Sequence, residues 1–436
     1  MKTPAEMHAI RGCIVHCLHD PGEGNDPDAL QVFEDGLLVV QGGKVAALGP
    51  AAELLPTLDE AVPVEDQSGR LLVPGFIDCH IHYAQTDMIA SYGEQLLTWL
   101  EQYAFPTEGR FADAEVAAET AAFFMQELLR NGTTSALVMG TVHEHSVTPV
   151  FEQAQALGMR IAAGKVLMDR NAPAYLLDDP ESGYRQSREL IERWHGVERL
   201  SYAITPRFAP TSSEAQLQAV GRLAREYPDT YIHTHLSENR NEVAWVAELF
   251  PWSKGYLDVY DHYGLLRERS LYAHSIHLSA AERRRMAATG AVTVFCPTSN
   301  LFLGSGLFEH GATRAAGTQV AMGTDVGGGT SFSMLRTAAE AYKVSQMTNT
   351  PLSPARMLYL ATLAGAESLA IDDSVGNLSV GKEADFVVLD PGATPLLARR
   401  TARAATIAEK LFALFILGDD RSVASTWLYG QCRHRR

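Results

Sequence analysis

The sequence is poor in cysteine. Its five cysteines are too few and too widely spaced for a disulfide framework, which indicates a reducing compartment. Cys13 and Cys17 have a CxxxC spacing, but no second pair follows to complete a zinc-binding motif of that kind. We therefore expect both to be small apolar residues of one strand.

Positive charge is also scarce. The 36 Lys and Arg residues are outnumbered by 52 Asp and Glu, which gives a formal net charge of −16. A partner that is a nucleic-acid polymer would need a basic surface, so this class of function is disfavoured. The one basic cluster, residues 433–436, is expected to be a solvated terminus.

Long apolar runs are missing. No stretch approaches about 18 apolar residues, the length of a membrane-crossing helix. Residues 1–13 lack the apolar core of a signal peptide. With 46% hydrophobic and 20% charged residues, the composition is that of an ordinary globular protein. The sequence therefore predicts a soluble, cytoplasmic protein.

Short β-rich segments alternate with longer helical patterns along most of the chain. Eight strands with helical crossovers predict an α/β fold, a (β/α)8 barrel of the TIM type. Alternation alone would also allow a doubly wound sheet, but eight segments with polar residues at their carboxyl ends favour the barrel. The predicted segments are 71–82, 133–141, 160–169, 200–210, 230–238, 270–277, 291–300 and 318–325.

The segment 112–132 has the clearest helical pattern. Asp113 is placed to cap its start, and Gly132 follows its end. Further helices are predicted over 212–227 and 241–250. Residues at three- and four-residue spacing form one buried face of the first helix: Val116, Ala117, Thr120, Ala121, Phe124 and Leu128.

The two ends of the chain differ from the middle. Both contain glycine-rich turns and alternating apolar residues, which are typical of antiparallel strands. Neither end is large enough for a core of its own. We therefore predict a small discontinuous β-sandwich domain from residues 1–72 and 374–436, beside a barrel formed by 73–373.

Histidines gather at the ends of the predicted strands. His80 and His82 are one residue apart, so both rings point to the same side of a strand. Alone, such a pair is as consistent with hydrogen-bonded core histidines as with metal ligands. Later strand ends add five more candidates: His233, His235, His274, His277 and Asp325.

A barrel brings the carboxyl ends of its strands to one opening, so these side chains are expected to meet and hold a metal ion. Imidazoles with one carboxylate suit zinc or iron(II) rather than magnesium or calcium. Such a metal lowers the pKa of its water toward about 7, which predicts metal-assisted attack of water on a substrate. Not all the histidines can be ligands, and His233 and His277 are the weaker candidates.

Four motifs resemble the amidohydrolase superfamily in order and spacing, across essentially the whole chain. Within that superfamily, three longer stretches look like the guanine deaminases. The four motifs are "PGFIDCHIH" (74–82), "HTHLSE" (233–238), "AHSIH" (273–277) and "GTD" (323–325), and the three stretches are 82–108, 207–213 and 295–306.

The resemblance implies a role for each matching residue. The zinc ligands would be His80, His82, His235 and Asp325, with Asp325 also taking part in catalysis. Glu238 would shuttle protons, and His274 would contact the attacking water or the tetrahedral centre. The purine would be held by Gln85, Arg207, Phe208 and His235. The family further implies one Zn²⁺ per chain, although iron stays open, guanine as the small-molecule substrate, and a homodimer.

Several alternatives stay open beside this interpretation. A related deaminase or chlorohydrolase could act on another aminopurine, a pterin or a triazine. A binuclear hydrolase would need a bridging lysine, and the only nearby candidate, Lys165, is mid-strand. An inactive scaffold would be expected to have lost ligands.

Three further features are interpreted without a role in the chemical step. Cys296 is not expected to be a nucleophile, because no activating partner is evident. Glycines 327–329 precede no GK[ST] motif and are expected to bend the loop beside Asp325. The aromatic segment 99–111 is the candidate lid.

Overall fold

The computed structural model describes residues 7–93 and 95–436. Its strands are β1 Met7–Cys17, β2 Leu30–Gln41, β3 Lys44–Pro50, β4 Val64–Pro74, β5 Phe76–His82, β6 Thr133–Met139, β7 Arg160–Gly164, β8 Val166–Leu167, β9 Leu200–Pro206, β10 Tyr231–Leu236, β11 Ser270–His274, β12 Val292–Phe295, β13 Gln319–Met322, β14 Phe386–Leu389, β15 Val423–Leu428 and β16 Gln431–Arg435.

Helices follow most of the barrel strands. They are α1 Ala51–Leu54, α2 Leu96–Trp99, α3 Phe105–Gly109, α4 Ala114–Arg130, α5 Glu144–Leu157, α6 Pro180–Trp194, α7 Glu214–Glu226, α8 Arg240–Leu249, α9 Tyr256–His262, α10 Ala280–Thr289, α11 Pro297–Phe302, α12 His310–Ala315, α13 Met334–Met347, α14 Pro354–Ala361, α15 Leu363–Ser368, α16 Pro395–Thr401 and α17 Ile407–Leu417.

The central strands form a parallel barrel. Their order is β13-β12-β11-β10-β9-β7-β6-β5, with the short β8 continuing β7 and also pairing with β9. The first and last strands are joined beyond their ends, where Asp325 N donates to His80 O at 2.8 Å and His82 N donates to Val326 O at 2.9 Å. The predicted (β/α)8 fold is confirmed, and the doubly wound sheet is excluded.

The two ends of the chain form a second sheet of seven strands, in the order β16-β15-β14-β4-β1-β2-β3. All its pairs are antiparallel except β1 with β4. The sheet curls, because Val45 of β3 exchanges backbone hydrogen bonds with residues 381 and 382, which precede β14. The curl encloses an apolar cluster that includes Ile10, Leu38, Phe386 and Trp427. The exact domain boundaries at 72/73 and 373/374 stay a prediction.

Gly75 separates the two sheets. The predicted strand 71–82 is in fact two strands, since β4 belongs to the seven-stranded sheet and β5 to the barrel. A Cβ at Gly75 would lie 2.0 Å from Oγ1 of Thr134, so only glycine allows this close crossing. A run of apolar residues does not show where a chain leaves one sheet for another.

Helix α4 matches the predicted helix 112–132 closely. Asp113 caps it, accepting a hydrogen bond from Glu115 N at 2.9 Å, and Gly132 follows with a φ of 81°. The predicted face is buried against the barrel, except that Val116 is only half-buried. The other two predicted helices are α7 and α8, and Cys13 and Cys17 lie in β1 as expected. Across the described ranges, no helix has the length and hydropathy needed to cross a membrane.

Asp113→Ala is expected to lower the free energy of unfolding by about 1 kcal/mol, because the first amides of α4 lose their capping oxygen. The melting temperature should fall accordingly. Glu119→Ala on the exposed side of the same helix is the matched control and should change stability little. Equal melting temperatures for the two variants would contradict the cap.

Candidate active site

The predicted ligands meet at the carboxyl end of the barrel. β5 supplies His80 and His82, β10 supplies His235, β11 ends at His274, and Asp325 lies just after β13. Four of these side chains are buried, and His235 is half-buried. His274 and Asp325 have φ values of 69° and 52°, a left-handed backbone that is uncommon for non-glycine residues. The barrel therefore holds this cluster in place at a cost in backbone strain.

The ligand atoms have the spacing of a metal site. Nε2 of His82 lies 3.2 Å from Nε2 of His235 and 3.3 Å from Oδ1 of Asp325, and Nε2 of His80 lies 3.1 Å from the same oxygen. Ligands about 2.0–2.1 Å from a tetrahedral ion would be separated by about 3.3 Å. Ligand atoms of His80, His235, His274 and Asp325 also lie within 4.8 Å of one another.

Hydrogen bonds behind the cluster orient its rings. Nδ1 of His235 lies 2.7 Å from the carbonyl oxygen of Arg207, which can only accept, so Nε2 keeps its lone pair for the centre. Nδ1 of His80 lies 2.6 Å from Nε2 of His233, which places His233 behind a ligand rather than among the ligands. Nε2 of His80 is buried without a hydrogen-bond partner in the described part of the chain. The residues therefore fit a metal ion.

The charge state of the cluster also suits a cation. Burial lowers the pKa of His80 to about 4 and the pKa of His235 well below its usual range, so both rings are neutral ligands. Burial would raise the pKa of Asp325, but the surrounding histidines keep this pKa well below its ordinary value. Two neutral imidazoles beside one carboxylate suit a zinc ion.

Glu238 lies beside the cluster, after a turn in which Ser237 has a φ of 49°. Its Oε2 is 3.3 Å from Nε2 of His274, and its Oε1 accepts a hydrogen bond from Oγ of Ser305 at 3.1 Å. Burial and the charge of Asp325 raise the pKa of Glu238 to about 8. This carboxyl group can therefore hold a proton near neutral pH.

His274 has a defined orientation as well. Its Nδ1 lies 2.8 Å from Oδ1 of Asn300, while its Nε2 faces Glu238 and lies 3.7 Å from Oδ2 of Asp325. In the described residues this Nε2 has no hydrogen-bond partner. His274 thus points at the space where a reacting group would sit.

A pocket of about 380 Å³ opens on the cluster. Arg207, Phe208 and Gln85 line it together with His82, His235, Glu238, His274 and Asp325, and their role in holding a purine stays a prediction. The remaining walls come from Leu96, Trp99, Leu100, Leu303 and Gly328. Trp99 and Leu100 belong to the segment 99–111, whose role as a lid stays a prediction.

Glu108 of α3 was missed by the sequence reasoning. It is 1% exposed, and its carboxylate binds both Gln85 and Arg207. A single glutamate in "FPTE" looks like a solvated side chain. The available signal was the need of a buried Arg207 for a counter-charge. Ser305 and Asn300, which contact Glu238 and His274, were also missed as individual residues.

Lys165, His277 and Cys296 do not belong to the cluster of predicted ligands. Nζ of Lys165 is 2.5 Å from Oδ2 of Asp178, so it is engaged in an ion pair. Nε2 of His277 lies 2.9 Å from the backbone oxygen of Ser305. Cys296 is fully buried, which raises the pKa of its thiol well above the usual value and agrees with an inert side chain.

The glycine loop after Asp325 must approach its neighbours closely. A Cβ at Gly329 would lie 1.8 Å from the carbonyl oxygen of Thr324, and one at Gly327 would lie 2.7 Å from that of Gln85. Gly327 N also donates to Oε1 of Gln85 at 3.1 Å. These glycines therefore shape the pocket, in line with the expected loop bend.

Comparison with known proteins agrees with this geometry. The sequence profile of the amidohydrolase family matches residues 71–432. Guanine deaminase of Escherichia coli K12 is 51% identical over 439 residues, covering 100% of both chains. The solved E. coli guanine deaminase superposes with a TM-score of 0.97, over 98% of this chain and 100% of that one.

A second solved structure, guanine deaminase from C. acetobutylicum with guanine bound in its active site, is 28% identical. It covers 98% of this chain and 100% of its own, with a TM-score of 0.88. The chain therefore belongs to the amidohydrolase family and, within it, to the group of the guanine deaminases.

Proposed function

We propose that the protein catalyses the hydrolytic deamination of guanine to xanthine and ammonia. The observation that carries the proposal is the position of Glu238. This proton-holding carboxyl group lies 3.3 Å from Nε2 of His274 and lines the same pocket as Arg207 and Gln85. The guanine deaminases to which the chain is similar support the choice of substrate.

His80, His82, His235 and Asp325 would hold one metal ion, and zinc is proposed because neutral imidazoles with a single carboxylate suit it. The same donor set also accepts iron(II), so metal analysis of the purified protein decides between them. When bound, the metal makes water acidic enough to act as a nucleophile at neutral pH.

Glu238 moves the protons. It delivers the proton that it holds to N3 of the purine, which makes C2 electrophilic, and takes one proton from the attacking water as the water oxygen bonds to C2. The remaining hydroxyl proton then passes through Glu238 to the 2-amino group. The C2–N bond breaks, ammonia leaves with that proton, and C2 becomes the carbonyl of xanthine.

His274 and Asp325 assist at the same carbon. His274 can donate a hydrogen bond to the attacking oxygen and so steady the charge that develops on it, while the Asp325 carboxylate can accept a hydrogen bond from its O–H. Because Ser305 donates a hydrogen bond to Oε1 of Glu238, its Oε2 stays directed toward His274 and the reacting groups.

Three further pocket residues would recognise the purine. Arg207 can donate to the 6-oxo group, Gln85 faces the ring edge, and Phe208 provides an apolar surface for the ring. Phe208 is buried and lies with its ring 6.5 Å from that of His235. His235 would therefore border both the metal and the substrate.

Purified protein with its metal is expected to release ammonia from guanine, with xanthine as the other product, and to leave adenine, ammeline and pterins almost untouched. Guanine offers a 6-oxo acceptor to Arg207 and a 2-amino group to the metal, whereas adenine lacks the oxo group, ammeline lacks the fused five-membered ring, and pterins have a larger, six-membered ring in its place. Ammonia release and ultraviolet absorbance measure the reaction. Folded, metal-loaded protein that does not turn over guanine would exclude the proposal, and turnover of a triazine or pterin instead would favour the related enzymes.

The proposal includes a cytoplasmic homodimer, as the family resemblance implies. Light scattering is expected to give twice the chain mass of 47.5 kDa. A mass of one chain would rule out the dimer without affecting the proposed reaction.

A further inference from the structure

Glu108 forms a bridge behind the substrate pocket. Its Oε1 accepts a hydrogen bond from Nε2 of Gln85 at 2.8 Å, and its Oε2 accepts one from Nη1 of Arg207 at 2.6 Å. The carboxylate is 1% exposed and is absent from the pocket wall, whereas both of its partners line the pocket. Glu108 can therefore act on a substrate only through these two side chains.

The bridge determines how Gln85 presents its amide. Oε1 of Gln85 accepts a hydrogen bond from Gly327 N at 3.1 Å, while Nε2 donates to Glu108. A flipped amide would direct its oxygen at the carboxylate and its NH2 group at the Gly327 N–H, so both hydrogen bonds would be lost. Only one orientation of Gln85 is therefore compatible with Glu108.

The bridge also holds Arg207. The guanidinium carbon lies 5.4 Å from the ring centre of Phe105, which belongs to α3 together with Glu108. Arg207 is buried, and within the described residues its guanidinium makes no side-chain hydrogen bond other than the one to Glu108. Its other N–H groups remain available to the pocket. Glu108 supplies the counter-charge without which a buried guanidinium would be costly.

We propose that Glu108 is a positioning residue that makes the pocket selective for 6-oxo purines, by holding Arg207 and Gln85 in one arrangement. A 6-oxo group accepts from the held guanidinium, whereas a 6-amino group would set donor against donor. The inference rests on the proposed function, since it assumes that the purine's 6-position faces Arg207 while C2 faces the metal cluster.

Glu108→Gln tests the inference, because it keeps the size of the side chain and removes its charge. The dissociation constants of hypoxanthine, which has the 6-oxo group, and of purine, which lacks it, are measured by calorimetry on the metal-loaded enzyme. Hypoxanthine binding is expected to weaken about 10–100-fold, the range of a lost charge-assisted hydrogen bond. Purine binding should change less than about threefold, and KM for guanine should rise far more than kcat falls.

Glu65→Gln is the matched control. Glu65 also binds an arginine, with both oxygens 3.0 Å from Arg435, but it lies in the seven-stranded sheet. This variant should bind hypoxanthine and purine as the unchanged protein does. If Glu108 had a purely structural role, Glu108→Gln would weaken the binding of both ligands equally. That result, or no change in the binding of either ligand, would overturn the inference.

A second variant and a binding measurement make the test independent of folding and of turnover. If Glu108→Gln does not fold, Glu108→Asp keeps the charge but is too short to reach both partners, and it should weaken hypoxanthine selectively to a smaller degree. Calorimetry needs no turnover, so the binding ratio tests the role of Glu108 even if guanine is not deaminated. Absence of guanine turnover in the unchanged enzyme would contradict the proposed function alone.

Discussion

Glu238→Gln is expected to lower kcat for guanine by about 10³–10⁴-fold while the metal stays bound. Glutamine has the same shape and can still accept from Ser305, but it cannot take a proton from water or deliver one to N3. The carboxyl group is buried between Ser305 and His274, so bulk water cannot replace it efficiently. The loss should therefore approach the upper end of what a general acid–base group contributes.

Steady-state kinetics and elemental analysis of the same preparation measure this prediction. KM should change little, because Glu238 lies at the reacting end of the pocket and not at Arg207. Glu65→Gln, the same replacement far from the site, should keep full activity. Substantial turnover by metal-loaded Glu238→Gln protein would mean that another group shuttles the protons.

His235→Ala is expected to abolish both metal binding and turnover. Bound metal should fall from about one ion per chain to a small fraction, and kcat/KM for guanine should fall by at least about 10³-fold. Nε2 of His235 lies 3.2 Å from Nε2 of His82, and its Nδ1 is held by the carbonyl oxygen of Arg207, so the ring directs a lone pair at the centre that alanine cannot supply.

His195→Ala is the matched control for this variant. His195 follows α6 and precedes β9, at the end of the barrel opposite the cluster, where it contacts Asp229. It should retain metal and activity. Metal retention by His235→Ala at the level of this control would remove His235 from the ligand set. Chelation of the unchanged enzyme, followed by re-addition of zinc, should abolish and then restore turnover.

The barrel and the cluster could be read from local patterns. Eight apolar segments, four of which have the candidate histidines or Asp325 near their ends, predict both the parallel barrel and the place where its side chains meet. His80, His82, His235 and Asp325 lie together in the structure for this reason. The spacing of the two His-x-His motifs is a property of a strand and needs no knowledge of the tertiary fold.

The residues that support the site and the sheet crossing could not be predicted from local sequence patterns. Glu108 reaches Arg207 from a short helix far away in sequence, and no periodic pattern relates the two. His233 resembles His235 in the sequence, yet the strand directs it to the back of His80. The crossing at Gly75 depends on Thr134, a residue of another strand. Each of these positions depends on long-range contacts.

The seven-stranded sheet has a consequence for biosynthesis. Strand β4 lies between β1 and β14, and β14 is made only when the barrel in between has been translated. Until then one edge of β4 has unpaired backbone groups, which invites association with other nascent chains. Completion of the fold thus awaits release of the C-terminal segment from the ribosome. Chains that terminate early should depend heavily on chaperones, although they carry every residue of the catalytic cluster.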